Sequence, residues 1–412
     1  MPNLKNWAGN VTFSAPEVLR PSSADELRRA VASASRVHAA GSLHSFSTVA
    51  DSPGSLVILD DLPRTVEIDS AAGQARVAAA VRYGELGPRL DKAGLAVPNL
   101  ASLPHITVAG SCATATHGSG NRNQCLSASV REVEMVVGSG DVVTVRRGDD
   151  GFEGTVVALG KLGVVTSLTL DLVPAFEIRQ WVYDDLPLSS LEPGFEAIFG
   201  SAYSVSAFTT WRDPGRFDQL WVKHLAGDEP VSSEFFGARL ANGPRHPVPG
   251  MPVTYTTEQG GVPGPWHARL PHFRAEFTPS AGDELQTEYL LRRDDAPAAL
   301  RALAPLAPRI APLLRINEVR TVAADELWLS PAYGRDTVGL HFTWLQDPLV
   351  GALLPVLEEA LAPFDPRPHW GKVFSPSMPF DYPRLGDFAR LVARYDPAGK
   401  FSNAFTSRVL DR

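Results

Sequence analysis

Cysteine is scarce in this sequence, which contains Cys112 and Cys125 among its 412 residues. Two cysteines form neither a disulfide framework nor a cluster with metal-ligand spacing, so we expect no metal site and a reducing compartment. The N-terminal MPNLKNWAGN lacks the basic and apolar regions of a secretory signal, and no apolar run has the length of a membrane span. These absences predict a cytoplasmic protein that does not bind membranes.

A block of basic residues is also absent. The 38 lysines and arginines are interspersed with 46 acidic residues, and the formal net charge is −8. A surface that binds nucleic acid requires a basic stripe, so this class of partner is excluded. A chain of 412 residues exceeds the size of one ordinary core, and its hydrophobic fraction of 44% is typical of globular proteins. We therefore expect two domains.

Several motifs that identify common enzyme classes are missing. There is no G-x-G-x-x-G motif for a Rossmann dinucleotide site, no H-E-x-x-H zinc-protease motif and no G-x-S-x-G nucleophile motif. The segment from Gly154 to Lys161 is one residue too long for a P-loop, and Leu162 stands where a magnesium-binding Ser or Thr is needed. Nicotinamide enzymes, nucleoside triphosphatases, zinc proteases and serine hydrolases are all disfavoured.

Short helices and strands alternate in the first part of the chain, to about residue 176. Ser23 and Glu26 form a predicted capping box, which begins a helix that carries Leu27 and Val31 on its apolar face. A second helix is predicted from residue 85 to residue 93, before Gly94. The predicted strands cover residues 37–39, 56–59, 66–69, 75–79, 133–137, 142–145 and 164–172.

The stretch from residue 98 to residue 120, PNLASLPHITVAGSCATATHGSG, is nearly free of charge and rich in Gly, Ala, Ser and Thr. Small residues allow a ligand to approach the backbone closely and leave amide groups free to bind anions. A tightly packed buried segment has the same composition. Composition alone leaves both interpretations open.

From about residue 177 the chain becomes richer in aromatic residues and prolines, which predicts a second domain. Three of its segments, ELQTEYL, INEVRTV and LHFTWL, alternate in polarity with a period of two, as strands with one polar face do. Such alternation is typical of a solvated sheet face. These polar pairs mix donors and acceptors, however, as a site for a hydroxyl-rich ligand requires. The pairs are Gln286 with Glu288, Glu318 with Arg320, and His341 with Thr343.

Motifs from residue 6 to residue 405, in a characteristic order and spacing, resemble one family. They are NWAGN at 6–10, GSLHSFS at 41–47, ASLPHITVAGSCATATHGSG at 101–120, LGKLGVV at 159–165, PHWGK at 368–372 and DPAGKFSNAF at 396–405. Together they resemble the vanillyl-alcohol-oxidase-type flavoproteins, in the branch of aldonolactone oxidases and alditol oxidases. The segments most similar to bacterial alditol oxidases are HFRAEFTPS at 272–280, EVRTVAAD at 318–325 and LSPAYGRDTV at 329–338.

The resemblance implies an α+β fold of the PCMH type. Residues 1–176 would bind FAD, residues 177–365 would form a cap domain built on an antiparallel sheet, and residues 366–412 would return to the FAD-binding domain. It also implies a covalent bond between His44 and the 8α-methyl carbon of FAD. Relatives often have Gly where this chain has Leu43. The other residues that the resemblance assigns to FAD binding are Ala39, Ala40, Gly41, Ser42, Leu43, Ser45, Ser102, Thr107, Gly110, Thr114, Ala115, Thr116, His117 and Val165.

The substrate site follows from the same resemblance, together with the polar strand faces. Its predicted residues are Ser102, Gln286, Glu318, Arg320, His341, Thr343 and Lys372. Arg320 and Lys372 would stabilise the alkoxide of a primary alcohol, Glu318 would accept a bond from a neighbouring hydroxyl, and Ser102 would lie near the reactive edge of the flavin. The group that accepts the hydroxyl proton is left open.

The implied reaction is oxidation of the C1 hydroxyl of a polyol such as xylitol or sorbitol to the aldose, with O2 reduced to H2O2. Small polyols and O2 are the expected partners, and we expect a monomer. Three alternatives are an aldonolactone oxidase or dehydrogenase with the same fold, a flavin-carrying binding protein without turnover, and an interaction module. The paired Glu318 and Arg320, together with the cap segments that resemble alditol oxidases, favour an alditol over a lactone as the substrate. The preferred chain length stays open.

Overall fold

The structure, a computed structural model, describes residues 4–228, 232–277 and 282–410. Helices and strands are both abundant, and most strand pairings are antiparallel, which confirms the predicted α+β class. The last three residues of HFRAEFTPS, at positions 278–280, lie outside the described residues.

The first part of the chain forms two larger sheets and a short ribbon. Its strands are β1 (Glu17–Leu19), β2 (Val37–Ala40), β3 (Ser55–Ile58), β4 (Val66–Asp69), β5 (Gln74–Ala78), β6 (Leu95–Ala96), β7 (Val130–Val136), β8 (Val142–Arg146), β9 (Val164–Asp171) and β10 (Val173–Pro174). Its helices are α1 (Ala24–Ser33), α2 (Tyr83–Lys92), α3 (Val108–Ala113) and α4 (Phe152–Val156). Strand β3 pairs in parallel with β1 and β2; an antiparallel sheet has the order β4-β5-β9-β7-β8, and β6 pairs with β10.

Local capping explains where helix α1 begins. The Ser23 hydroxyl accepts a bond from the Glu26 amide at 3.2 Å, as predicted, and Leu27 and Val31 are buried. The Glu26 carboxylate, however, accepts from the amide of Ser22 at 2.8 Å, one residue before the expected partner. Helix α2 begins at Tyr83, earlier than the predicted residue 85.

The second part of the chain forms one ten-stranded sheet with helices on one face. Its strands are β11 (Glu177–Pro187), β12 (Ser204–Thr209), β13 (Arg216–Leu225), β14 (Glu234–Phe235), β15 (Ala238–Leu240), β16 (Gly264–Pro265), β17 (Glu284–Arg292), β18 (Leu314–Val322), β19 (Thr337–Leu345) and β20 (Arg367–Pro368). The helices on that face are α5 (Leu188–Phe199), α6 (Ala296–Leu303), α7 (Ala307–Ile310) and α8 (Leu349–Leu361). Helices α9 (Leu385–Tyr395) and α10 (Ala404–Leu410) follow in the C-terminal segment and pack in the hydrophobic core of the first part. The sheet order is β14-β15-β11-β13-β12-β18-β19-β17-β20, with β16 paired to β11.

One face of this sheet is apolar and packs against helices α5 to α8. On β19, the side chains of Leu340, Phe342 and Trp344 lie in that core and are fully buried. The alternate residues of the same strand, His341 and Thr343, therefore point to the opposite face. The predicted alternation of apolar and polar faces is confirmed.

The C-terminal segment returns to the first part of the chain. The amide of Val37 donates to the Lys400 carbonyl at 3.0 Å, and the Asn403 amide group donates to the carbonyl of Val49 at 3.0 Å. Strand β20 lies within the predicted C-terminal segment but pairs with β17 of the large sheet. The domain boundaries themselves stay predictions. None of the helices in the described ranges is long and apolar enough to cross a membrane.

A buried ion pair connects the C-terminal segment to the first part. The ammonium of Lys161 lies 2.8 Å from the Asp396 carboxylate, which also accepts from the amides of Lys400 at 2.6 Å and Phe401 at 3.0 Å. Both charged side chains are at most 5% exposed. Removal of one partner from such a pair leaves the other charge buried and uncompensated.

We therefore expect Asp396→Asn to lower the free energy of unfolding by about 3–5 kcal/mol. The matched control is Arg394→Gln, which removes the exposed ion pair of Arg394 with Asp150 and is expected to cost less than about 1 kcal/mol. Urea unfolding of both variants measures the difference. Equal unfolding free energies for the two variants would show that the buried pair does not fix the segment.

Candidate functional site

A cavity of 290 Å³ lies between the two parts of the chain. One wall is the loop at residues 39–47, with residues 101–117 and the start of β9. The opposite wall is the polar face of β17, β18 and β19, and Lys372 lies at its edge. The cavity therefore joins the small-residue segments to the three alternating strands, which are far apart in sequence.

Strand register places the polar side chains in rows. Glu318 on β18 is opposite His341 on β19, which is opposite Glu288 on β17. One step along β19, Thr343 is opposite Gln286. Directly opposed side chains on neighbouring antiparallel strands lie close enough to interact, and all five of these residues line the cavity.

The Glu288 carboxylate is at the centre of this wall and is fully buried. Its Oε1 atom accepts from Arg320 Nη2 at 2.8 Å and from Arg320 Nε at 3.1 Å, and its Oε2 atom lies 3.3 Å from His341 Nδ1. Although burial raises the pKa of Glu288, Arg320 and then His117 hold that pKa well below its usual range. The sequence placed Glu288 on the polar face but not in the site. Its alternation with Gln286 was the signal that could have found it.

Gly339 makes room for this ion pair. A Cβ atom on Gly339 would lie 3.2 Å from Glu288 Oε1 and 3.6 Å from Arg320 Cγ. A glycine inside a strand often marks the close approach of another group. Here that group is the pair of Arg320 and Glu288. Burial lowers the pKa of Arg320, but Glu288 and Glu318 reverse this effect and raise it.

Glu318 is the second buried carboxylate of the wall. Its Oε1 atom accepts from His272 Nε2 at 3.0 Å, and its Oε2 atom lies 3.6 Å from Arg320 Nη1. Burial raises the pKa of Glu318, but Arg320 and His272 together lower it well below its ordinary value. Arg320 Nη1 also donates to the Ser102 hydroxyl at 3.3 Å. His272, like Glu288, was not among the predicted site residues, although it begins the motif HFRAEFTPS.

Lys372 joins the edge of the site to the loop at residues 39–47. Its ammonium donates to the Gln286 side-chain carbonyl and lies 5.2 Å from the centre of the Phe46 ring. The amide of Phe46 in turn donates to the Gly371 carbonyl at 2.7 Å. Burial lowers the pKa of Lys372 to about 8, against an opposing effect of Glu288.

The loop at residues 39–47 has two unusual features. A Cβ atom on Gly41 would lie 2.3 Å from Thr107 Oγ1, so only glycine fits there without a shift. Leu43 has a φ of 59°, in the left-handed region that favours glycine. His44 follows it, with its ring centre 5.3 Å from that of Trp7. Burial, and next the charge of His105, lower the pKa of His44 to about 4, so its imidazole is neutral.

His117 and His369 complete the cavity wall behind Glu288. His117 Nε2 lies 3.3 Å from Glu288 Oε1. A ring nitrogen of His117, a ring nitrogen of His369 and a carboxylate oxygen of Glu288 all lie within 4.8 Å of one another. The Arg320 guanidinium already donates twice to that carboxylate oxygen. The cluster therefore has its positive charge supplied by the chain itself.

The structure brings the predicted site residues together, with one exception. The predicted residues that line the cavity are Ala39, Ala40, Gly41, Ser42, Leu43, His44, Ser45, Ser102, Thr107, Gly110, Thr114, Thr116, His117, Val165, Gln286, Glu318, Arg320, His341, Thr343 and Lys372. Ala115 does not line it. With a φ of 52°, Ala115 is 1% exposed and packs in the hydrophobic core of the first part, because the turn after α3 directs its methyl group inward.

Comparison with protein families gives two matches. Residues 15–146 match the model of an FAD binding domain, and residues 283–409 match the model named D-arabinono-1,4-lactone oxidase. The first range includes the loop at residues 39–47 and the segment at 101–120. The second includes the polar strands β17 to β19 and Lys372.

Curated relatives cover almost the whole chain. The alditol oxidase of a Streptomyces species is 53% identical over 98% of this chain and 98% of its own length. The L-gulono-1,4-lactone dehydrogenase of Mycobacterium tuberculosis is 29% identical over 99% of both chains.

Solved structures show the same fold at low sequence identity. Cholesterol oxidase from B. sterolicum has a TM-score of 0.78 at 15% identity, over 98% of this chain and 96% of that chain. A chitooligosaccharide oxidase has a TM-score of 0.74 at 14% identity, over 97% of this chain and 93% of that chain. Together with the match to the FAD binding domain, these structures confirm the predicted fold class.

Proposed function

The chain belongs to the FAD-dependent alditol oxidase family, and we propose that it oxidises the terminal C1 hydroxyl of alditols such as xylitol and sorbitol to the aldose, with O2 reduced to H2O2. The observation that carries this proposal is the polar wall opposite the FAD-binding segments. It offers two cations, a carboxylate acceptor, an amide and a hydroxyl within one cavity. A polyol, which has a donor and an acceptor on every carbon, matches such a mixed set.

The residues of the wall that faces the polar strands, from the loop at 39–47 and the segment at 101–117, fit FAD. Close packing of Gly41 against Thr107 lets the loop at residues 39–47 approach α3, and a Cβ atom on Gly160 would lie 2.5 Å from the His38 ring. Glycines in such turns leave the backbone amide groups accessible, so that they can bind a pyrophosphate. The residues that would hold FAD are the predicted ones that line this wall: Ala39, Ala40, Gly41, Ser42, Leu43, His44, Ser45, Ser102, Thr107, Gly110, Thr114, Thr116, His117 and Val165.

The protein must hold the substrate carbon in place and stabilise negative charge on its oxygen. FAD, when bound, accepts a hydride from that carbon and passes the electrons to O2. Arg320 and Lys372 are the proposed cations for the alkoxide, because both line the cavity. Glu318 would accept a bond from the next hydroxyl, and Thr343, Gln286 and His341 would bind hydroxyls farther from C1.

We also propose that FAD is bonded covalently to His44. A neutral imidazole has the nitrogen lone pair that such a bond requires, and burial keeps His44 neutral at physiological pH. The new bond would replace a C–H bond of the 8α-methyl group, whose proton would be released and whose two electrons would pass through the flavin to O2. Lys372 contacts Phe46, which is two residues after His44, and so places a cation beside the loop that carries this histidine. Leu43, whose φ lies in the left-handed region, immediately precedes this histidine. Relatives often have Gly at the position of Leu43.

The sequence-based expectations of a monomer and of a cytoplasmic location stay predictions. A lactone oxidase or dehydrogenase is the second candidate, because the C-terminal family match carries a lactone oxidase description. The same assay separates the two candidates, since each predicts a different substrate.

Purified protein should form peroxide and aldose in equal amounts when offered xylitol or sorbitol in air. Each polyol has a C1 hydroxyl that Arg320 and Lys372 of the polar wall are proposed to bind. Xylitol, sorbitol, glycerol and a galactonolactone are compared in a peroxide assay without added NAD. Faster oxidation of the lactone would favour the second candidate. Reduction of an artificial acceptor without O2 consumption would make the protein a dehydrogenase.

The covalent link predicts that the flavin stays with the chain after acid precipitation. In-gel fluorescence should follow the protein band, whereas His44→Ala should release all of its flavin into the supernatant. Leu43→Gly is expected to keep the link, because glycine adopts the left-handed backbone without strain. Complete loss of colour from precipitated wild-type protein would contradict the bond.

Replacement of Lys372 should affect catalysis more than binding. If its charge acts as hydride leaves, Lys372→Met should slow flavin reduction at saturating polyol on the order of a hundredfold. Thr343→Val, the control, should mainly raise the dissociation constant. Both quantities come from anaerobic stopped-flow reduction. A parent-like rate in Lys372→Met would leave the cation role to Arg320.

The pH dependence of the same rate gives a further check. The Lys372 ammonium is present below its pKa of about 8 and is lost as the pH rises through it. The rate of flavin reduction should therefore fall above about pH 8 in the wild type. Lys372→Met has no group to lose there, so its rate should lack this decrease.

A further inference from the structure

Lys223 is a buried lysine that the proposed reaction does not use. It lies on β13 and is 1% exposed, a burial that lysines rarely reach without a paired carboxylate. In the described part of the chain, no carboxylate lies within ion-pair distance of its ammonium. The group instead donates to the carbonyls of Leu270 and Pro271, the latter at 3.2 Å, and contacts His272 Nδ1 at 3.2 Å.

These three contacts determine the tautomer of His272. An ammonium has three donors and no acceptor, so His272 Nδ1 must accept from Lys223. The ring proton of the neutral imidazole is therefore on Nε2, which donates to Glu318 Oε1 at 3.0 Å. Burial, and next the charge of Lys223, lower the pKa of His272 to about 4 and keep the ring neutral.

The orientation of the His272 ring is fixed as well. Trp221 and Phe208 contact it edge to face, with ring centres at 5.2 Å and 5.6 Å. Its backbone amide donates to the Ser102 carbonyl at 3.2 Å. His272 thus contacts both Ser102 and Glu318 of the proposed site. The packing of its ring and the bond of its backbone amide keep Nε2 directed to Glu318.

We propose that Lys223 and His272 are positioning residues for polyol oxidation, which hold Glu318 as an ionised acceptor with one oxygen directed to a substrate hydroxyl. His272 occupies Oε1, so Oε2 stays available to the substrate beside Arg320. An ionised carboxylate only accepts hydrogen bonds, so its partner must be a hydroxyl donor. The inference rests on the proposed function.

A lysine that served only packing would act independently of Glu318, and a double-mutant cycle separates the two roles. The variants are Lys223→Met, Glu318→Gln and the double variant, assayed with xylitol at about pH 6. Burial lowers the pKa of Lys223 to about 7, so its ammonium predominates there. Lys223→Met should raise the KM about ten- to a hundredfold, with a smaller change in the rate at saturation. In the Glu318→Gln background the same substitution should change the KM less than about threefold.

Two substitutions of His272 test the tautomer directly. In His272→Gln the amide nitrogen replaces Nε2 and still donates to Glu318, whereas in His272→Asn the shorter amide replaces Nδ1. The KM for xylitol should therefore stay close to that of the wild type in His272→Gln and rise in His272→Asn. In His272→Gln, removal of the Lys223 ammonium should have little further effect on the KM.

The control is His224→Gln, which changes the next residue of β13 on the opposite strand face, where it contacts Asp228. Flavin content and melting temperature of every variant show whether the fold persists, and if Lys223→Met fails to fold, the two His272 variants decide the question. Additive effects of Lys223→Met and Glu318→Gln, or equal KM values for the two His272 variants, would overturn the inference. Absence of peroxide from wild-type protein with every polyol would instead overturn the proposed function.

Discussion

The buried carboxylate of Glu288 is the constraint on which the polar wall of the cavity depends. A buried guanidinium requires a counter-charge, because an unpaired buried charge would lower the free energy of unfolding by several kcal/mol. Glu288 supplies that charge through two hydrogen bonds to Arg320. Its other oxygen meets His341 Nδ1. One carboxylate thus sets both the position of the cation and the tautomer of the neighbouring histidine.

Gly339 and the sheet order follow from the same constraint. Arg320 on β18 reaches Glu288 on β17 across β19, and the strand between them has Gly339 at this point, where a Cβ atom would lie 3.2 Å from Glu288 Oε1. The apolar residues that alternate with these polar ones pack on the helices of the opposite face. A shift of register by one residue would bury the charges in that apolar core, and the pairing is therefore strongly determined.

Sequence periodicity predicted the polar strand faces because each strand carries its own alternation, independent of its neighbours. It could not rank Gln286 and Glu288, since their difference in role depends on which residue of β19 lies opposite each. His272 and Lys223 gave no periodic signal. His272 reaches Glu318 from a loop, and Lys223 reaches His272 from β13, which β12 separates from β18. Ala115 was assigned from a motif. The direction of its side chain depends on a turn whose left-handed backbone the motif does not reveal.

The contacts of the C-terminal segment have a consequence for biosynthesis. Strand β2 leads into the loop at residues 39–47, and its first residues bond to the carbonyls of Lys400 and Phe401. His38 and Phe401 are 363 residues apart in the chain. The wall of the cavity that includes β2 and this loop therefore gains these supporting contacts only after residues 400 and 401 have been synthesised.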